Sequence, residues 1–392
     1  MLIIHAEIHT MAGEPIRDGW LRAEDGKIKA LGAMPAEQKA GETALDVCGK
    51  RIYPGFIDAH THLGMWEDGL TFEGDDGNED TDPVTPQLRA IDAVNPLDRC
   101  FQEALAAGIT TVVTGPGSAN PIGGQSAAVK TGGRCVDQMT VKAPLAVKMA
   151  LGENPKSVYH GKNQTPSTRM ATAGLIRDAL SKAKRYLEEQ ERAKAGEDFD
   201  MPEYDGKCEE LLPVLKREVQ VHFHAHRADD IFTAMRIAKE FQLDYVIIHG
   251  TEGHLIADEL KEAGARVFSG PLLCDRSKPE LKNLTPGTPG ILSRKGISVA
   301  IVTDHPVVPI QYLPLCAGLA VREGMDPEEA LKAVTAYPAE ICGISDRVGT
   351  LEAGKDADFS VFSENPLTLE AKPDMVFLNG ELVWQEEKNE GN

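Results

Sequence analysis

Apolar and polar positions change their rhythm twice along the chain. Residues 1–52 alternate over short spans, as in Leu2-Ile3-Ile4, Gly19-Trp20-Leu21-Arg22-Ala23 and Lys27-Ile28-Lys29-Ala30-Leu31. Such alternation predicts strands, and Glu24-Asp25-Gly26 between the last two predicts a hairpin turn. From Tyr53 onward, short apolar runs alternate with helical stretches, the pattern of βα units around a parallel sheet. Eight runs read as strands: the one starting at Tyr53, then 109–114, 127–130, 144–151, 219–224, 245–249, 265–268 and 299–304. Eight is the number that closes a (β/α)8 barrel. After a helical segment near 327–342, the tail returns to strands and turns, with Asn379-Gly380 as a closing hairpin. The expected fold is α/β: a TIM-like barrel over 53–344, with a small β-sandwich built from residues 1–52 and 345–392. The last eight residues are polar and expected to fray.

Two stretches break the rhythm. Residues 65–96 are acidic and rich in turn formers, and they follow the first barrel strand directly. Loops after barrel strands build the active face, so this segment is either a solvated loop or a lid. Residues 166–217 are rich in Ala, Glu, Lys and Arg and read as helices inserted after the fourth strand.

Composition narrows the class. The chain has 392 residues, 42% of them hydrophobic, and a formal net charge of -20. That excess of carboxylates argues against nucleic acid and anionic membranes, which select basic patches. The seven cysteines are scattered and include no Cys-x-x-Cys pair, which favours reduced thiols in a cytoplasmic protein over a disulfide framework. No apolar run approaches a membrane span, and the N-terminus lacks the pattern of a secretory signal.

The chemistry gathers at strand ends. The run Pro54-Gly55-Phe56-Ile57-Asp58-Ala59 ends in His60-Thr61-His62, and on a strand those two imidazoles share one face, as a divalent ion requires. Of eleven histidines, six fall at such ends: His60, His62, His222, His224, His226 and His249. Histidines scattered through a core would not sort this way. His222 lies deeper, and a core or supporting role is preferred for it. Asp304 closes the eighth run, and His305 beside it is as readily a loop histidine as a substrate contact.

Pro54-Gly55-Phe56-Ile57-Asp58-Ala59-His60-Thr61-His62 and Gly349-x-Leu351-Glu352-Ala353-Gly354-Lys355-x-Ala357-Asp358 resemble the opening and closing signatures of the metal-dependent amidohydrolase superfamily. The resemblance spans the whole chain. His224-Ala225-His226, Ile248-His249-Gly250 and Thr303-Asp304 make it most similar to the branch of imidazolonepropionases and Xaa-Pro or Xaa-Arg dipeptidases. That resemblance implies His60, His62, His224, His249 and Asp304 as ligands of one or two divalent ions, zinc first, with manganese or iron as alternatives. It implies Asp304 as the acceptor of the attacking water's proton and His226 as a catalytic group beside the substrate. A second ion would need a bridging anion, for which Glu153 is slightly preferred over a carboxylated Lys148. The alternatives are a loop carboxylate and a buried ion pair, respectively. Lys156 and Arg169 can hold a substrate carboxylate, although a solvated charge is the plainer reading of either alone. Gly115-Pro116-Gly117-Ser118 opens a glycine-rich loop that is not a P-loop, and close approach to substrate and a plain turn weigh equally.

The expected function is hydrolysis of an amide, peptide or cyclic amide bond in a small amino-acid-like molecule. An aminohydrolase on the same scaffold is the alternative, weakened because His224-Ala225-His226-Arg227 offers no glutamate after the fifth strand. A non-catalytic homologue is the third reading, opposed by the complete ligand set. A small molecule is the expected partner; oligomeric state is left open, a homo-oligomer included.

Overall fold

The computed structural model describes residues 1–68, 71–196 and 200–386. The polar end expected to fray is thus mostly outside the described residues, from 387 onward, as are two residues of the acidic loop.

Both chain ends enter one sheet. Its strands are β1 (Leu2–Ile8), β2 (Ile16–Glu24), β3 (Lys27–Ala33), β4 (Ala44–Asp46) and β5 (Arg51–Pro54) from the N-terminal side. After the barrel strands β6 to β13, the C-terminal side adds β14 (Phe359–Phe362), β15 (Pro373–Leu378) and β16 (Glu381–Gln385). Hydrogen bonding runs in the order β16-β15-β14-β5-β1-β2-β3, with β4 beside β1, as one continuous sheet. Ile3, Ile8, Leu21, Ile52, Phe359 and Phe377 pack its core. Both expected hairpins carry two residues at positive φ, Asp25-Gly26 and Asn379-Gly380, which matches the strand twist.

A second sheet holds β6 (Phe56–Thr61), β7 (Ile109–Thr114), β8 (Ile122–Lys130), β9 (Thr140–Ala150), β10 (Gln220–Ala225), β11 (Tyr245–His249), β12 (Val267–Ser269) and β13 (Val299–Ile301), in sequence order. The eight expected strands are present, in a nearly closed TIM-like barrel. One departs from the expected pattern: β8 runs antiparallel to both β7 and β9. Residues 115–121 are too few for a crossover helix, so the chain can only turn back. The strand is also longer than the expected 127–130, because its first half, Ile122-Gly123-Gly124-Gln125, looks like loop by composition.

Reversal sends the end of β8 to the rim away from the histidines. There Lys130, almost fully buried, donates to Asn379 Oδ1 and forms ion pairs with Asp356 Oδ2 and Asp358 Oδ2, each at 2.7 Å. Asp356 also takes Lys27 and Arg347 (2.9 Å). This charge cluster joins the barrel to the end sheet.

No ladder pairs β13 with β6. The gap is stitched by backbone bonds from His62 N to His305 O (2.9 Å) and from Asp304 N to His60 O (3.2 Å). Asp58 adds a side-chain stitch, accepting from Thr303 N (3.1 Å), Thr303 Oγ1 (2.6 Å) and His60 N (3.2 Å). Burial nonetheless pushes its carboxyl up to about 7.

All seven cysteines are free. No described helix is long and apolar enough to cross a membrane.

Candidate metal centre

Six of the residues singled out from the sequence meet at the C-terminal rim. They form two groups in which every ligand atom lies within 4.8 Å of the others: His60, His62 and Asp304, and His224, His226 and His249. The groups adjoin, since the His60 and His249 rings stand 5.6 Å apart, centroid to centroid. His60 Nε2 and His62 Nε2 approach Asp304 Oδ1 at 3.1 and 3.3 Å. His226 lies parallel to His249, with centroids 4.2 Å apart.

In four of the histidines, Nδ1 is engaged: His62 with Gly115 O (2.7 Å), His249 with Gly270 O (2.7 Å), His224 with Ser118 Oγ (2.8 Å) and His226 with Thr251 Oγ1 (2.8 Å). This leaves Nε2 as the free nitrogen, the arrangement that orients an imidazole for a metal. His60 Nε2 and His224 Nε2 are buried with no hydrogen bond of good geometry. Buried polar atoms are rarely left so, and an ion would satisfy both.

The electrostatics suit a cation. Burial pushes His60, His224 and His226 well below the usual imidazole range, and His249 to about 4, so their ring nitrogens are available as lone-pair donors. Burial alone would raise Asp304, but the facing imidazoles of His249, His60 and His62 outweigh it and keep the carboxyl ionised. His249 (φ 72°) and Asp304 (φ 56°) both adopt left-handed backbone, a strain typical of functional positions.

The other expected residues distribute unevenly. Lys148 is buried on β9, with Pro116 O at 3.3 Å as its acceptor and no ion pair among the described residues, so the buried-pair reading does not apply. Burial lowers its amine to about 8, against the opposing pull of Asp304. Glu153 belongs to neither ligand group. It begins the helix Glu153–Gly161, and its backbone N donates to Glu280 Oε2 (3.1 Å). Arg169 is engaged with Asp230 (3.0 Å), and Lys156, half-buried, has no partner among the described residues. His222 fits its core reading: burial takes it to about 3, and its ring packs edge-on against Phe268. His305 is buried rather than loop-exposed, and its Nδ1 accepts from Ile310 N (3.1 Å).

Sequence reasoning left the role of one feature open and passed over another. The glycine-rich loop holds three centre residues at once, His62 through Gly115 O, Lys148 through Pro116 O and His224 through Ser118 Oγ; its place after β7 was a signal. Glu280, fully buried on the loop after β12, brings Oε1 to 3.7 Å from His226 Nε2 and 2.6 Å from Lys278 Nζ. Nothing in the local pattern Lys278-Pro279-Glu280 marks it.

A TIM-like barrel with histidines and an aspartate converging at its C-terminal rim defines a class of hydrolases. Residues 51–383 match the amidohydrolase family, and the chain belongs to it. It is therefore an enzyme of the hydrolase group acting on carbon–nitrogen bonds. Among similar solved structures, the amidohydrolase of Thermotoga maritima MSB8 shares 42% identity and a TM-score of 0.94, with 98% of this chain and 100% of that one covered. Amidohydrolase tasK of Hapsidospora irregularis is 30% identical over 92% of this chain, which spans 39% of tasK's length. The imidazolonepropionase of Mycolicibacterium smegmatis is 26% identical, covering 94% of this chain and 92% of that one. The branch expected from the sequence is borne out.

Proposed function

We propose that the protein hydrolyses an amide, peptide or cyclic amide bond of a small amino-acid-like substrate at a divalent metal centre. The observation that carries this reading is the pair of adjoining, largely buried groups, His60-His62-Asp304 and His224-His226-His249, in each of which one imidazole nitrogen (His60 Nε2, His224 Nε2) has no hydrogen-bond partner. His60, His62, His224, His249 and Asp304 would hold the ion; their nitrogen and carboxylate donors suit zinc, with manganese or iron accommodated by the same set. When bound, such an ion polarises the carbonyl and acidifies water.

The chain's own groups do the rest. Asp304 accepts the attacking water's proton at a carboxylate oxygen and returns it to the leaving nitrogen, completing C–N cleavage. His226 sits beside the ligands with Thr251 Oγ1 at its Nδ1, which supports its role as a hydrogen-bonding group for the substrate. If two ions bind, Lys148 is favoured over Glu153 as the bridge. Its buried ammonium, which has no ion pair among the described residues, can lose one proton, add carbon dioxide at Nζ and release a second proton to give an anionic carbamate, whereas Glu153 lies outside both groups. Residues 53–344 as the metal-binding barrel, with the ends 1–52 and 345–392 as one composite β-sandwich domain, belong to the same proposal.

The test is a panel of N-acyl amino acids, dipeptides and cyclic ureides, assayed after metal removal and restoration with zinc, manganese or iron. Turnover that depends on the ion and falls at least ~10³-fold in Asp304→Asn, with the metal retained, is expected. Equal rates in the chelated protein would refute the reading. The Glu280–His226 approach supports a second reading, an aminohydrolase. Ammonia release from amino-substituted rings without ring opening would select it.

A further inference from the structure

The rim carries an aromatic side chain that neither the ligand set nor the proton transfer uses. The Trp66 indole stands edge-on to the His62 imidazole, with centroids 4.5 Å apart and planes at 72°. Its N–H donates to Asp75 Oδ1. Backbone bonds Glu67 N–Gly74 O and Asp76 N–Met65 O, both 2.9 Å, hold the two segments together. Gly77 and Gly117 lie against the ring, where a Cβ on either would come within 2.3 or 2.8 Å of ring atoms. Neither glycine has positive φ; Gly77 leaves space for the indole, and Gly117 leaves it for the indole and the Asn78 side chain together.

Despite this restraint the ring is only half-buried. A core tryptophan would be covered, and a chance surface one would need no cradle of two glycines and an aspartate. A large apolar surface is thus fixed, partly open, against a candidate metal ligand. Two cations on loops of this face are already engaged, Arg169 by Asp230, and Lys278 by Glu280 and by Asn154 Oδ1 (2.8 Å), while Lys156 has no partner among the described residues. Other loops of the same face expose Leu255, Leu273 and Val307, at 57%, 45% and 55%.

We propose that Trp66 is a specificity-determining residue, an apolar wall beside the metal centre that selects substrates with a planar or branched apolar group next to the scissile C–N bond. The inference rests on the metal-hydrolase reading and adds the substrate's flank to it.

Acetohydroxamate and benzohydroxamate test it. Both bind divalent ions through the same oxygen pair and differ only in the apolar group. In the zinc-loaded protein, benzohydroxamate should bind roughly tenfold tighter, and Trp66→Ala should cut that preference to about twofold, the scale of an aromatic contact. Trp66→Phe should keep part of it. Zinc content and acetohydroxamate affinity should stay at wild-type values in both variants. An undiminished preference in Trp66→Ala overturns the inference. So does a parallel loss of zinc or of acetohydroxamate binding, which would make Trp66 a support for His62. If neither hydroxamate binds the wild-type protein loaded with zinc, the metal-hydrolase reading itself falls, and the wall with it.

Discussion

Replacing Lys130 with methionine probes the joint between barrel and end sheet while keeping most of the aliphatic stem. The ammonium is buried, donates to Asn379 Oδ1 and pairs with Asp356 Oδ2 and Asp358 Oδ2, each at 2.7 Å. Without it, Asp356 keeps Lys27 and Arg347, but Asp358 keeps only Asn379 N at 2.8 Å. A stranded buried carboxylate is the expensive outcome, and losing one partner of such a pair costs about 3–5 kcal/mol. The pH dependence has a definite sign. Burial already raises the Asp358 carboxyl, with Lys130 opposing it, so Lys130→Met raises it further. A group raised in the folded state stabilises below its unfolded pKa, and that contribution is lost as pH rises through the folded value. The deficit should therefore be smallest near pH 5 and grow toward pH 8. Urea titration reads it as a fall in midpoint at constant slope. Asp358→Asn on the Lys130→Met background should recover a large part of the loss. A deficit below ~1 kcal/mol, a deficit independent of pH, or a double variant no better than the single would refute the reasoning.

Ser118→Ala removes the hydroxyl that fixes His224 Nδ1, so metal affinity should fall ~10–100-fold by chelator competition while the thermal midpoint of the apo protein barely moves. Gly152→Ala forces φ 88° on a residue with a Cβ and drives a methyl to 2.9 Å from Glu280 Oε2. A loss of about 1–3 kcal/mol in denaturant unfolding is expected. Thr303→Val deprives Asp58 of its 2.6 Å hydroxyl donor and should cost about 1–3 kcal/mol, measured the same way.

The parts legible in the sequence obey a period. His60 and His62, or His224 and His226, share a face because strand side chains alternate, and apolar runs announce where each strand ends. Asp304 followed from the same argument. What escaped depends on chain direction and on loops. The reversal of β8 was implicit in a connector of seven residues, 115–121, yet Gly123-Gly124 disguised the strand's first half. Glu280 and Trp66 reach the centre from long rim loops, where no periodicity says which way a side chain turns. Arg169 illustrates the converse: its position was right for a substrate contact, but Asp230, sixty-one residues away, had claimed it.

The unpaired boundary between β13 and β6 gives the ligand set a second duty. A ladder would close the barrel there independently of chemistry. Instead the closing bonds leave from the backbones of His62 and Asp304, and His60 receives one of them. An ion gripping those three side chains would act as a clasp on the cylinder, so its binding energy would also be closure energy. Metal starvation would then reduce the amount of this enzyme as well as its turnover. Protease nicking of the stripped protein should begin at this seam, and hydrogen exchange at residues 303–308 should quicken before that of β10 or β11.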